Sequence, residues 1–156
     1  FQGSRGLGDV YKRQAYRQSG PFFVQNFEAE EKMNLFLFDG TMVSTPSNFV
    51  SLMLLSTSIR LRLGLPTVNV ITKTDLIEEK LEQVLSWSGT ESRLEADLAS
   101  EVNGDTFSLV SDMLTSINRN DFQQDLIPVS NATGDGMVNL QSALSRTINL
   151  GEEIED

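Results

Sequence analysis

The 156 residues carry 12 Lys and Arg against 22 Asp and Glu, a formal net charge of −10, with no Cys and no His. Without those two residue types the chain has no disulfides, no thiolate or imidazole metal ligands, no cysteine nucleophile and no histidine base. The acidic balance disfavours nonspecific binding to nucleic acid or to an anionic membrane, both of which need a cationic face. No run approaches the roughly 18 apolar residues of a membrane helix, so a cytoplasmic protein is expected.

Ser4–Gln14 resembles the in-frame translation of a sequencing adaptor, with Phe1–Gly3 in front of it. The alternative is a basic, Gly-rich arm. Residues 1–14 are set aside as non-native, as tag segments are. On this reading the natural sequence begins near Ala15, is shortened on its N-terminal side, and carries a net charge of −12. Residues 15–150 then suit one domain or most of one, and residues 151–156 an acidic, frayed tail.

In chain order, Ser19-Gly-Pro21 followed by Phe22, Phe23, Val24 and Phe27 predicts a loop entering a helix, with Pro21 in its first turn. Met33–Phe38 is a short apolar run ending at Asp39-Gly40, hence a buried strand. Ser44–Ser47 opens a helix with a broad apolar face from Phe49 to Leu63, stopped by Gly64 and Pro66. Thr67–Ile71 is a second strand. Helices are expected over Leu76–Trp87, Glu91–Val102 and Thr106–Ile117, a third strand over Leu126–Val129, and a closing helix over Met137–Ile148. Strands alternating with helices imply an α/β fold, a parallel sheet flanked by helices. Three strands are few, and such a sheet leaves an apolar edge exposed.

Two loops carry the candidate chemistry. Thr72-Lys-Thr-Asp75 follows a β-branched run directly, where a buried parallel strand delivers a polar loop to the ligand-binding edge of its sheet. The Asp75 carboxylate can accept two hydrogen bonds from a guanine ring N–H and exocyclic amine, and the Lys73 stem can lie over the ring. Alone, x-Lys-x-Asp occurs by chance in about one chain in two of this size. The plain alternative is a solvated pair in which Thr74 or Asp75 caps a helix beginning at Leu76. Val129–Gly136 follows the next strand and precedes a helix. There the N–H of Asn131 or Ala132 could donate to the guanine carbonyl, Ser130 could brace the turn, and Gly134 and Gly136 would let the chain reverse. No G-x-x-x-x-G-K-[ST] phosphate loop occurs in the 156 residues.

These motifs resemble the C-terminal part of the GPN-loop GTPases. The resemblance rests on Ala15–Pro21, the strand ending at Asp39, the helix Phe49–Leu63, Leu65–Leu76 and Val129–Gly136, with 57 residues from Lys73 to Ser130. It implies a three-layer sheet of the P-loop NTPase type, truncated at its N-terminal side. Thr72, Lys73 and Asp75 would form one base-reading loop, and Ser130, Asn131 and Ala132 the other. The resemblance implies GTP or GDP with Mg2+ as the ligand of the whole protein, GTP hydrolysis as its activity, and a homodimer or a related GTPase subunit as partner. Tyr16–Pro21 would follow the switch segment that senses the γ-phosphate, and no catalytic residue or metal ligand can be assigned. Thr72 stands where GTPases commonly have Asn, and Asn131 where Ala is usual. The competing reading is an assembly module whose helices between Leu76 and Ile117 dock a protein, with nucleotide binding vestigial.

Overall fold

The computed structural model describes residues 19–29, 31–89, 91–118 and 126–152. Residues 1–18, with the adaptor-like segment and the start of the Ala15–Pro21 motif, lie outside the described residues, as do residues 153–156 of the acidic tail. The elements are α1 (Ser19–Asn26), β1 (Asn34–Asp39), α2 (Pro46–Leu63), β2 (Thr67–Thr72), a 3-10 turn (Thr74–Leu76), α3 (Glu78–Gly89), α4 (Glu91–Glu101), α5 (Asp105–Asn118), β3 (Leu126–Pro128) and α6 (Met137–Glu152).

The three strands form one parallel sheet in the order β1-β2-β3. β2 is central and its residues Thr67–Ile71 are all buried, which is why this segment is β-branched rather than alternating in polarity. Strand period two sends its neighbours to opposite faces. On one face Phe38, Ile71 and Leu126 pack with Phe49, Val50 and Met53 of α2, Val84 and Trp87 of α3, Leu94 and Leu98 of α4, and Leu114 of α5. On the other, Val68, Val70, Ile127 and Val129 pack with Ala143 of α6. Helices therefore cover both faces of an α/β sheet.

Asn69 is a buried polar residue in this central strand. It accepts a 2.6 Å hydrogen bond from the buried Ser56 hydroxyl of α2, which meets the requirement that a buried polar group be partnered. The ends of α2 are set by local chemistry. The Thr45 side chain accepts from Asn48 N, Pro46 occupies the first turn, and Gly64 closes the helix in the left-handed region with its N–H on Arg60 O.

The expected elements are present with shifts at their ends. α1 begins two residues before Pro21. The Leu76–Trp87 helix resolves into a 3-10 turn and a helix starting at Glu78. α6 runs to Glu152 and so takes in the first residues of the expected frayed tail. On β1, Leu35 and Leu37 are exposed. They pair in register with Val68 and Val70, and so lie on the face where α6 covers β2 and β3 but leaves β1 open.

Candidate functional site

The carboxyl ends of the three strands form one polar edge. β1 and β2 run out level, with Asp39 opposite Thr72. Their exits are held at the backbone: Gly40 N donates to Thr72 O at 3.0 Å, and a Cβ at Gly40 would come within 2.5 Å of that oxygen. The Thr72 hydroxyl donates to Phe38 O at 3.2 Å, so this side chain staples β2 to β1.

Lys73 follows with φ 58°, the one non-glycine of positive φ among the described residues. Its Nζ donates to Asp39 Oδ2 at 2.7 Å. Asp39 Oδ1 accepts from Thr41 N at 3.0 Å and from the Thr41 hydroxyl at 2.7 Å. Burial opposes ionisation of Asp39, but the Lys73 ammonium together with the Thr41 hydroxyl and N–H outweighs it and holds the carboxyl below its ordinary 3.8.

The second loop is tied to the first. Val129 N donates to Ile71 O at 2.9 Å, and Thr74 N donates to Val129 O at 3.4 Å. Ser130 is 1% exposed, and its hydroxyl donates to Asp75 Oδ1 at 2.6 Å. The same residue braces its own turn, with Ser130 N on Asp135 O, Gly134 N on Ser130 O, and Thr133 N on Ser130 Oγ. Gly134 and Gly136 both have positive φ. A Cβ at Gly136 would lie 1.9 Å from Pro128 O, so no larger residue fits the reversal into α6.

Of the six residues expected from the sequence, Asp75 and Ser130 are in direct contact, and Lys73 lies at the same edge. Asn131 and Ala132 are exposed at the tip of the turn. Asp75 Oδ1 is engaged by Ser130, and no hydrogen bond engages Oδ2 among the described residues. The helix-capping alternative does not describe Asp75: the 3-10 turn has no side-chain cap, and the carboxylate faces the neighbouring loop. Asp39 stands at this edge in contact with Lys73, and the pattern of loops did not single it out. Its signal was present in Phe38-Asp39-Gly40, since a parallel neighbour of β2 must end beside Lys73.

The architecture and the comparisons agree. Residues 13–150 match the family described as a conserved hypothetical ATP binding protein. A GPN-loop GTPase 2 homolog of Dictyostelium discoideum is 46% identical over 43 residues, 28% of this chain and 14% of that protein. The chain belongs to the GPN-loop GTPase family. The crystal structure of a GTPase in apo form from Pyrococcus abyssi superposes with a TM-score of 0.71 at 18% identity, over 86% of this chain and 53% of that one. At that identity the likeness establishes the fold, a parallel sheet of the P-loop GTPase type. The chain spans about half the length of this solved relative. Among the described residues no helix is long and apolar enough to cross a membrane, and no group of three or more Asp, Glu, His or Cys side chains is gathered to hold a metal ion.

Proposed function

We propose that the chain is the base-reading part of a guanine-nucleotide site, in a protein whose full activity is GTP hydrolysis as a molecular switch. The observation that carries this is the Ser130–Asp75 hydrogen bond. It fixes one carboxylate oxygen on a buried hydroxyl and leaves the other without a hydrogen bond among the described residues, so that the donors of a guanine, N1–H and the 2-amine, find a held acceptor. The exposed Asn131–Ala132 turn stands beside it, where an N–H can meet the guanine O6. Adenine offers no N1–H and no 2-amine, and leaves Asp75 facing an acceptor, a mismatch that costs affinity. The family description names ATP, whereas this donor and acceptor pattern favours guanine.

The residues at the edge fit a base and not a triphosphate. A phosphate cradle needs successive N–H groups at a helix N-terminus with a Lys and a Mg2+-binding hydroxyl, and the 156 residues contain no such motif. Mg2+ would supply charge neutralisation on the phosphates; the chain's own contribution in this reading is to select and orient the base. A second copy or a related GTPase subunit is the protein partner this reading carries, in the cytoplasm, without nucleic acid or membrane.

The test is a calorimetric series on the full chain with GMP, GDP and GTP. Base contacts alone on an exposed edge give affinities on the order of millimolar, GTP binds no more tightly than GMP, and no phosphate is released. Micromolar GDP binding, or turnover of GTP, would show that these residues hold phosphate after all.

The assembly-module reading has one observation in its favour. Leu54 and Leu61 of α2 with Leu109 and Met113 of α5 line an apolar groove, and Leu61 is 81% exposed. Wild-type GMP binding separates the two readings: the guanine reading expects it at the sheet edge, and the assembly-module reading expects none, with Leu109→Glu then disrupting the docking groove.

A further inference from the structure

Asp39 lies outside both base-reading loops, yet it is the most elaborately held carboxylate on the sheet edge. Two donors from Thr41 fix its Oδ1, and Met42 N closes the turn on Asp39 O at 2.9 Å. That leaves Oδ2 aimed along the edge, where it takes the Lys73 ammonium at 2.7 Å. The spacing between the two residues is not set by their side chains. The level register of Asp39 with Thr72 and the Gly40–Thr72 backbone bond bring the strand exits together first.

Lys73 itself is held at φ 58°, in the left-handed region that L-residues other than Asn and Asp seldom occupy. A lysine has no local hydrogen bond that favours such a turn, so the backbone gains nothing from Lys at this position. Side-chain placement is the remaining reason for it. Stability does not account for the pair, because its side chains are 53% and 36% exposed, and exposed ion pairs contribute little.

We infer that Asp39 is a positioning residue: it draws the Lys73 side chain across the ends of β1 and β2 and so presents the lysine stem as the platform for the face of the base, while Asp75 reads the edge of that base. This rests on the guanine reading above. Asp39 touches no ligand itself; it acts through Lys73.

The inference is tested by NMR titration of the full chain with GMP, using ribose 5-phosphate as the probe that lacks a base. The proteins compared are wild type, Asp39→Asn, Lys73→Met and the double variant. Asp39→Asn is expected to weaken GMP binding about two- to fivefold, the size of an exposed cation and ring contact, with no loss toward ribose 5-phosphate and an unchanged melting temperature. In the Lys73→Met background Asp39→Asn is expected to be silent, whereas a merely structural role would add its loss in both backgrounds. Equal GMP affinity in wild type and Asp39→Asn, or the same loss with and without Lys73, overturns the inference and leaves the guanine reading standing. Absence of GMP binding to wild type overturns both.

Discussion

Asp75 on the sheet edge and Asp97 in α4 are both half-buried aspartates that accept a short hydrogen bond from a buried partner, and they stand in different surroundings. Asp97 Oδ2 takes the Trp87 indole N–H at 2.7 Å and Gln83 Nε2 at 3.2 Å. Trp87 is 2% exposed and packs edge-on against Phe49 at 5.6 Å. The carboxylate there satisfies the one polar atom of a core side chain, and its work is done inside the protein. Asp75 receives a single hydroxyl on Oδ1, and no hydrogen bond engages its Oδ2 among the described residues. Each aspartate has one oxygen with no hydrogen bond among the described residues, so the contrast is one of place: Asp97 ties α3 to α4, whereas Asp75 stands between two loops at the carboxyl edge of the sheet, where the guanine reading puts the base.

Four substitutions break or sharpen that contrast, in falling order of their effect on stability. Gly136→Ala puts a Cβ against Pro128 O in a left-handed backbone and is expected to cost roughly 3 kcal/mol in urea unfolding. It disrupts the Ser130 turn, so any residual folded protein should also lose GMP binding. Ser130→Ala removes the donor to Asp75 and the brace on Thr133. It is expected to cost about 1–2 kcal/mol and to weaken GMP binding about tenfold, seen by titration, because Asp75 then turns freely.

Trp87→Phe keeps most of the core volume and deletes the indole N–H, at about 1–2 kcal/mol, with GMP binding unchanged. This variant also has a pH signature. Asp97 sits below its ordinary 3.8, first because of Trp87 and then Gln83. A carboxylate lowered in the folded state contributes stability above its unfolded pKa and loses it as pH falls through the folded value. The gap between wild type and Trp87→Phe is therefore full at neutral pH and narrows below 3.8, which urea midpoints across that range measure. Asp75→Asn is the mildest for stability, well under about 1 kcal/mol, since the amide oxygen still accepts from Ser130. It turns the group at the Oδ2 position from acceptor to donor. The base preference is then expected to move from GMP to xanthosine monophosphate, whose ring carries a carbonyl in place of the amine; unchanged preference would show that Asp75 does not read the base.

Much of this was legible in the residues. The β-branched Thr67–Thr72 run, the Pro46 and Gly64 stops of α2, and Gly134 and Gly136 each have local causes, so the order of elements could be read directly. The pairing of the two loops was visible because each follows a strand. What escaped was nonlocal. The Asp39–Lys73 contact depends on strand register, and the Trp87–Asp97 bond on how α3 meets α4, neither of which periodicity encodes. The Leu76 helix splits into a 3-10 turn and α3 at Ile77, whose φ of −131° leaves the helical region, a break that its apolar periodicity does not encode. Leu35 and Leu37 read correctly as strand residues, and their exposure reflects an open sheet face rather than any property of their own segment.

The most direct measurement is an NMR titration of the isotope-labelled full chain with GMP and, separately, with AMP. Recognition of guanine by the paired loops predicts millimolar GMP binding with amide shifts concentrated at Lys73–Asp75 and Ser130–Ala132, and little or no response to AMP. Equal responses to the two nucleotides, or GMP shifts lying away from those two loops, would contradict it.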